Sequence, residues 1–275
     1  MNGKFLPAGE PVLYSSNRSY RYGDGFFETM RVENSDVMLW DYHYERLSAS
    51  LNLLQFKTTE NFSRAQLYSD VLELCKKNNC SDRSRIRLSI YRGNGGLLET
   101  EQPAEYLIES DSLNISADGL NEKGLHLGVY SAARKALDTF SNLKSASFQP
   151  YAMAVMFAKQ QQLNDCIVLN SDGHVADTTR ANIFIVKNSS IYTPALYEGC
   201  VNGVMRRHLL SLLKKERIEV VEKTITVEEV EKADEVFLTN AIRRIQWVEH
   251  FHELRFSNTL TKSIYSRFFE RELHE

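Results

Sequence analysis

The order of apolar and polar positions predicts strands and helices mixed along the whole chain. Apolar residues alternate between Ile86 and Ile90, as on one face of a strand, whereas they recur at every third or fourth position between Leu47 and Leu54. On these patterns we predict strands over 36–40, 85–92, 125–132, 166–170, 182–186 and 235–239. We predict helices over 42–54, 62–79, 150–162, 203–216, 226–233 and 261–272.

Residues at the ends of these segments add local detail. Asp41 is predicted to cap the helix that follows it, and the run from Thr226 to Glu229 has the spacing of a capping box. Asp172-Gly173 predicts a tight turn after the strand 166–170, with 182–186 as the return strand.

The arrangement of these segments favours two α+β domains. Strands and helices mix in both halves without strict βαβ alternation, which does not suit a doubly wound parallel sheet. The stretch from about Tyr106 to Gly124 is polar, and we interpret it as the connection between the domains. The prediction is a smaller N-terminal domain over 1–118 and a larger C-terminal domain over 119–275.

Composition and charge exclude several classes of function. The chain has 275 residues, 43% of them hydrophobic and 25% charged, as in an ordinary globular protein. A formal net charge of −3 gives no reason to expect nucleic acid or an anionic membrane as the partner. No apolar run approaches the roughly 18–20 residues that a membrane span needs, and the N-terminus lacks the pattern of a signal peptide. The four scattered cysteines suit free thiols, so a cytoplasmic protein is expected.

Several common catalytic motifs are absent from the sequence. We find no phosphate-binding P-loop, no H-E-x-x-H, no G-x-S-x-G and no glycine-rich dinucleotide loop. The seven histidines do not occur at metal-ligand spacing in the sequence, so no metal site is predicted.

Lys144 is the residue that points to chemistry. It stands alone among serine, alanine and phenylalanine in the stretch LKSASF, where a solvated lysine usually has polar neighbours. A lysine becomes a nucleophile when desolvation or a nearby cation keeps its amine neutral. A lysine that forms a Schiff base also needs an electron sink such as pyridoxal phosphate. That cofactor requires an anion site for its phosphate, a carboxylate at its pyridine nitrogen and a surface that holds its ring.

Two arginines lie on one face of a predicted strand. Arg85 and Arg87 are either solvated or form an anion-binding pair.

Six segments, in this order, resemble the class-IV aminotransferase family of fold-type IV pyridoxal phosphate enzymes. They are RYGDGFFETMRV, HYERL, LKSASF, VADTTRANIF, GVMRR and ADEVFLTNA, which span roughly residues 10–250. The family includes branched-chain and D-amino-acid aminotransferases and 4-amino-4-deoxychorismate lyase. The resemblance implies a two-domain fold with the cofactor in the cleft between the domains, a small-molecule amino substrate and a homodimer.

The resemblance also implies roles for residues that would bind pyridoxal phosphate. Lys144 matches the lysine that forms the Schiff base and moves the proton at the substrate's α-carbon, and Arg46 matches the arginine that pairs with the phosphate. Val204 and Met205, which follow Gly203, match the loop whose backbone N–H groups bind that phosphate at a helix N-terminus. Asn240 matches the other loop near the phosphate.

Two parts of the match are less uniform. Asp177 stands where the family usually has a glutamate bonded to the pyridine nitrogen, and its side chain is one methylene shorter. On the substrate side, the positions that match pocket residues of branched-chain aminotransferases are Tyr22, Glu28, Arg31 and Arg87. An arginine in such a pocket suits a substrate carboxylate, although salt bridges at a domain interface are an alternative.

The choice between lyase and aminotransferase rests on a few positions. Met205 and the Asn240-Ala241 pair favour the lyase, whereas Glu28, Arg31 and Arg87 favour the aminotransferase. We favour 4-amino-4-deoxychorismate lyase, with an aminotransferase for branched-chain or D-amino acids as the alternative. An inactive homologue that only binds is a third possibility, supported by the change to aspartate at position 177 alone.

Overall fold

The computed structural model describes residues 1–99, 101–113 and 119–270. The chain divides into two compact units. Unit 1 comprises Met1–Asn114 together with Leu143–Ser147, and unit 2 comprises Ile115–Asn142 together with Phe148–Glu275. The predicted domain boundary at residue 118 lies outside the described residues.

The described residues of unit 1 form one antiparallel sheet and three α-helices. Its strands are β1 (Gly25–Glu33), β2 (Asp36–Val37), β3 (Arg83–Arg92) and β4 (Ala104–Ser112), in the order β2-β1-β3-β4. Its helices are α1 (Arg18–Tyr22), α2 (Trp40–Leu53) and α3 (Arg64–Lys77), with a short 3₁₀ helix over Glu60–Phe62. The predicted alternation in β3 is confirmed, because Ile86, Leu88 and Ile90 are buried in a core that also includes Leu47 of α2 and Leu67 of α3.

Three sequence-based expectations for unit 1 were wrong. The segment 36–40 is a strand only over Asp36–Val37, and α2 begins at Trp40 after Leu39, whose positive φ of 56° makes the turn. Asp41 therefore lies in the first turn of α2 and does not cap it. The polar stretch that begins at Tyr106 is not all connection, because β4 is the last strand of the sheet in the described part of unit 1 and has polar side chains on its more exposed face.

Unit 2 contains a larger sheet of mixed direction. Its strands are β5 (Leu125–Lys135), β6 (Asp165–Asn170), β7 (Val175–Thr178), β8 (Asn182–Lys187), β9 (Ser190–Pro194), β10 (Val220–Lys223), β11 (Glu235–Asn240), β12 (Arg244–Phe251) and β13 (Leu254–Arg255). Their order is β10-β9-β8-β11-β12-β5-β6-β7, and β13 pairs with β12. Its helices are α4 (Gln149–Gln160), α5 (Val204–Lys215), α6 (Val227–Glu231) and α7 (Thr259–Tyr265), with a 3₁₀ helix over Leu196–Glu198 and a π-helix over Ser266–Glu270.

Parallel and antiparallel pairs occur together in this sheet. The strands β5 and β6 are parallel and are connected through α4, whereas β8 pairs antiparallel with both β9 and β11. The capping box predicted at Thr226 and Glu229 is confirmed at the start of α6. The mixture of strand directions agrees with the predicted α+β class.

The strand that returns after the Asp172-Gly173 turn was predicted wrongly. It is β7, which pairs antiparallel with β6, whereas the predicted return strand 182–186 lies within β8 and pairs with β9 and β11. The short, fully buried run Val175–Thr178 has no alternation, which is why the sequence pattern missed it. This strand carries Asp177.

Three remaining expectations concern the last helix, the cysteines and the absence of a membrane-spanning helix. The last predicted helix begins at Thr259, continues as a π-helix to Glu270, and its predicted end at residue 272 lies outside the described residues. All four cysteines are free, as predicted, and all four are buried. In the described ranges, no helix is both long enough and apolar enough to cross a membrane.

Candidate active site

A short segment of unit 1 holds Lys144 against the edge of β1. The N–H of Phe27 donates a 3.0 Å hydrogen bond to the carbonyl oxygen of Lys144, and the N–H of Ala146 donates one of 2.9 Å to the carbonyl of Gly25. Phe26 and Ser145 form an antiparallel bridge between these two bonds. The backbone around Lys144 is therefore fixed as a strand-like addition to the sheet.

The side chain of Lys144 shares one aromatic ring with Arg87. Its Nζ lies 4.6 Å from the centroid of the Phe27 ring, and the guanidinium carbon of Arg87 lies 3.9 Å from the same centroid. Lys144 and Phe27 are opposite each other in the antiparallel pairing, so their side chains leave the same face. Two residues that the sequence predicts for the site are thus brought together, and the ring supplies an apolar wall beside the amine.

A buried ionic cluster lies on β1 and α2. Arg46 donates from Nε to Oε1 of Glu28 at 2.7 Å and from Nη2 to Oε2 at 2.5 Å, a bidentate pairing. His43, one turn earlier on α2, lies with Nδ1 2.6 Å from Oε2 of Glu28. Positions i and i+3 of a helix share one face, which explains why both residues reach the same carboxylate. Glu28 is therefore a structural partner of Arg46 in this unit.

The pKa values of Glu28 and His43 are both lowered in this cluster. Burial alone would raise the pKa of Glu28, but the charge of Arg46 and the hydrogen bonds of His43 and Arg46 outweigh it and lower that pKa to about 2. Burial is the main cause that lowers the pKa of His43, and the charges of Arg46 and Lys144 add to it. The cluster therefore combines an ionised carboxylate with a neutral imidazole that donates from Nδ1.

These pKa shifts predict that unit 1 loses stability in acid. Both folded-state pKa values lie below those of the unfolded chain, so the contribution of His43 decreases below about pH 6.5 and that of Glu28 decreases from about pH 4.5 towards pH 2. The shift of Glu28 corresponds to about 3 kcal/mol of pH-dependent unfolding free energy. Urea unfolding at a series of pH values should show this decrease in the wild type, a weaker decrease in Glu28→Gln, and the wild-type decrease in a control with the exposed Glu60→Gln. An equal pH dependence in Glu28→Gln and wild type would refute the assignment.

The remaining two predicted substrate residues, Arg31 and Tyr22, also lie in unit 1. Arg31 is buried on β1 and pairs with Glu33 of the same strand. Tyr22 is exposed at the end of α1, with the guanidinium of Arg18 5.9 Å from its ring centroid.

In unit 2, Asp177 is buried among hydrogen-bond donors. Its Oδ2 accepts bonds from Nζ of Lys135 at 3.1 Å, from the hydroxyl of Tyr151 at 2.8 Å and from the N–H of Val201 at 3.0 Å. Its Oδ1 accepts a 2.9 Å bond from the amide of Asn182. Four donors from different parts of unit 2 hold this carboxylate in one orientation.

Lys135, Tyr151 and Asn182 were missed by the sequence analysis. Lys135 is a buried cation that ends β5, and its ion pair with Asp177 joins positions 42 residues apart. Burial and the nearby carboxylate raise the pKa of Tyr151 well above its usual value, so its hydroxyl remains a donor. The available signal was Asn182 itself, which lies inside the recognised VADTTRANIF segment five residues after Asp177.

Asn182 also connects Asp177 to the start of α5. Its amide donates to the carbonyl of Val201 at 2.8 Å, and a Cβ added to Gly203 would lie 1.8 Å from its Oδ1. Glycine is therefore required at position 203, where the chain packs directly on Asn182. The helix then begins at Val204 with no side chain as an N-terminal cap.

The N-terminus of α5 suits an anion. The first turn of an α-helix has N–H groups without helical acceptors, and the helix dipole adds positive potential there. Thr239, which pairs with Asn182 in the sheet, has a buried hydroxyl oxygen with no hydrogen-bond partner among the described residues. Next to it, the side chain of Asn240 accepts bonds from the N–H groups of Ile242 and Arg243 and fixes the turn after β11. These features fit the phosphate of the cofactor that the sequence implies.

Comparison with known proteins identifies the family. Residues 25–251 match the model of the family described as amino-transferase class IV. Over 253 residues, the chain is 30% identical to the aminodeoxychorismate lyase of Bacillus subtilis (strain 168), covering 89% of this chain and 83% of that protein. The chain belongs to the class-IV aminotransferase family and is an enzyme of that family, as the sequence motifs indicated.

Solved structures confirm the fold class. The branched-chain amino acid aminotransferase of Escherichia coli superimposes with a TM-score of 0.88 at 23% identity, covering 98% of this chain and 92% of that chain. The 4-amino-4-deoxychorismate lyase of Pseudomonas aeruginosa gives a TM-score of 0.83 at 23% identity, covering 95% of each chain. The fold is that of the fold-type IV enzymes.

Proposed function

We propose that this enzyme binds pyridoxal phosphate through Lys144 and acts as a 4-amino-4-deoxychorismate lyase. The reaction eliminates pyruvate and leaves 4-aminobenzoate, a folate precursor. One arrangement in unit 2 carries the cofactor assignment. The amide of Asn182 bonds both to the buried carboxylate of Asp177 and to the carbonyl of Val201, just before the uncapped N-terminus of α5. Pyridoxal phosphate needs both features, a carboxylate for its pyridine nitrogen and a site for its phosphate.

Each proposed residue has a distinct task. The bound cofactor supplies an electron sink for the negative charge that develops at the substrate's α-carbon. Lys144 attaches the cofactor and moves the proton at that carbon, and the backbone N–H groups of Val204 and Met205 bind the phosphate. Asp177 pairs with the pyridine nitrogen through Oδ1, which accepts one bond where Oδ2 accepts three. The three donors on Oδ2 fix the orientation of the carboxylate, so Oδ1 is held in one position.

Arg46 is proposed to pair with the cofactor phosphate in addition to Glu28. Arg46 matches the arginine that pairs with the phosphate in the family, and its bonds from Nε and Nη2 to Glu28 fix the position of the guanidinium. Arg46→Ala is expected to weaken the binding of pyridoxal phosphate by at least about tenfold, since bonds to charged groups contribute about 1.5–3 kcal/mol. Binding of pyridoxal, which lacks the phosphate, is expected to stay at the wild-type level. Fluorescence titration of both compounds measures this.

A control separates this role from the ion pair with Glu28. Arg46→Ala leaves a buried carboxylate without its partner, so the double variant Glu28→Gln/Arg46→Met restores neutrality in the same cluster. If the double variant binds pyridoxal phosphate as tightly as the wild type, Arg46 serves Glu28 and not the phosphate.

Two observations support the lyase over the aminotransferase. Glu28 matches a pocket position of the branched-chain aminotransferases, but both its oxygens are engaged by Arg46 and His43. Arg31, which matches another such position, pairs with Glu33.

The aminotransferase remains the second candidate because of Arg87. This guanidinium lies on the same ring as Lys144, where it suits a substrate carboxylate. Single-turnover spectroscopy of the holoprotein distinguishes the two. Release of 4-aminobenzoate and pyruvate from aminodeoxychorismate, with no amino acid converting the cofactor to its amine form, supports the lyase. Conversion by L- or D-amino acids and recovery with a 2-oxo acid would identify an aminotransferase. If the protein is an inactive homologue that only binds, neither result is expected.

The homodimer implied by the resemblance stays a prediction.

A further inference from the structure

We propose that His126, Glu249 and His250 form a binding site for a divalent first-row transition metal, with Zn²⁺ as the best match. The two imidazoles and the carboxylate lie in unit 2, on the parallel pair of strands β5 and β12. One ligand atom from each of the three residues lies within 4.8 Å of those of the other two. No local sequence pattern indicates this group, because His126 and His250 are 124 positions apart.

An irregularity in the strand pairing brings the three side chains together. Val248 pairs with Leu125 and His250 pairs with His126, so Glu249 is an extra residue on β12. In a regular strand, neighbouring side chains point to opposite faces, and Glu249 would lie away from His250. A bulge removes this alternation locally, which lets both side chains reach His126.

Gly124 makes room for the bulge. A Cβ at this position would lie 2.2 Å from Cβ of Glu249 and 2.7 Å from its backbone nitrogen. Every other residue type would therefore displace Glu249. The sequence at the start of β5 thus provides both one ligand, His126, and the space for another.

The ligand set suits zinc. Neutral imidazole and carboxylate are its ordinary nitrogen and oxygen ligands, and two histidines with one glutamate leave the fourth tetrahedral position for water. Around Zn²⁺ the ligand atoms lie about 3.3 Å apart, given Zn–N distances of about 2.0 Å. The imidazole rings have centroids 4.5 Å apart at an interplanar angle of 62°, and Nε2 of His250 lies 3.9 Å from Oε1 of Glu249. Small side-chain rotations therefore close the site.

The neighbouring charges permit metal binding. Arg255 donates to Oε1 of Glu249 at 2.8 Å, but its side chain is 73% exposed and can move into solvent. Exposed ion pairs of this kind contribute about 0–1 kcal/mol, so a metal ion displaces Arg255 at small cost. His126 is exposed and His250 half-buried, which gives the ion a path from solvent.

Within unit 2, the proposed metal site lies far from Asp177, the residue proposed to pair with the pyridine nitrogen. His126 is the second residue of β5 and Lys135, the partner of Asp177, is the last. Nine residues of strand span about 30 Å. A metal here would join β5 to β12 in the folded state, and it would stabilise that state according to its concentration.

The test uses untagged holoprotein and Zn²⁺ in competition with a chromophoric chelator. We expect one tight site in the wild type, a loss of affinity of at least about 10-fold in His126→Asn and in His250→Asn, and a Zn²⁺-dependent rise in Tm that both variants lose. His252→Asn is the matched control, because His252 is exposed, lies two residues away and has a positive φ of 52° that asparagine tolerates. It should bind Zn²⁺ like the wild type.

The cofactor and other histidines could also bind Zn²⁺, and the variants distinguish those sites from the proposed one. If His126→Asn and His250→Asn bind Zn²⁺ as tightly as the wild type, the metal lies elsewhere and the proposal is wrong. The proposal also fails if the wild type shows no tight site. Circular dichroism and Tm without metal check that the variants are folded, and Co²⁺ absorption in place of Zn²⁺ reports whether the geometry is tetrahedral.

Discussion

Replacing Lys144 with alanine is expected to abolish turnover and to remove the absorbance of the lysine-bound cofactor. The amine is the only group of its segment that can attach the cofactor, because its neighbours from Leu143 to Phe148 are serine, alanine, leucine and phenylalanine. The backbone of the segment is held to β1 by hydrogen bonds that do not involve the side chain, so the variant should fold. Absorbance spectra and steady-state assays of the holoprotein measure both effects.

Two controls give this prediction its specificity. Lys144→Arg keeps a cation over the Phe27 ring but cannot attach the cofactor, so it should be as inactive as Lys144→Ala. Lys159→Ala removes an exposed lysine from α4 and should leave activity unchanged. Turnover by either Lys144 variant at a rate near that of the wild type would contradict the mechanism.

Replacing Asp177 with asparagine is expected to lower the rate about 10²- to 10³-fold while the cofactor stays bound, the size of effect seen when a preorganised electrostatic contact is removed. The negative charge that pairs with the pyridine nitrogen would be lost. The change also leaves Lys135 buried without its counterion, which costs about 3–5 kcal/mol of folding stability. Rapid kinetics and urea unfolding measure the two effects separately.

The double variant Lys135→Met/Asp177→Asn distinguishes a chemical role of Asp177 from a purely structural role. Methionine removes the unpaired buried cation at similar volume, so stability should recover while the rate stays low. If the rate recovers together with the stability, Asp177 acts only as the partner of Lys135, and its assignment to the pyridine nitrogen is wrong.

The sequence predicted the long amphipathic elements well and the short buried ones badly. The alternation of β3 and the repeat of α2 each buried one face more deeply than the other, so periodicity was enough. The strand β7 is four buried residues long and has no periodicity, which led to the wrong return strand. Leu39 begins α2 through a positive φ that few residues other than glycine and asparagine adopt, and no sequence rule anticipates it there.

The candidate site was only partly visible in the sequence. Lys144 was conspicuous because its neighbours are small and apolar, but that its amine lies over Phe27 depends on a pairing between segments more than 100 residues apart. Three of the four partners of Asp177 come from β5, α4 and the loop before α5, at separations of 42, 26 and 24 residues, and such long-range pairs leave no local pattern. Glu28 was assigned from its motif, whereas its bonds to Arg46 and His43 depend on how α2 packs on β1.

The most direct test of the central claim is to locate the attached cofactor. The holoprotein is reduced with sodium borohydride, digested and analysed by mass spectrometry. The account predicts a phosphopyridoxyl group on the peptide that contains Lys144. Lys135, the buried lysine beside Asp177, is the strongest rival, and a label on it, or no label on any lysine, would contradict the account.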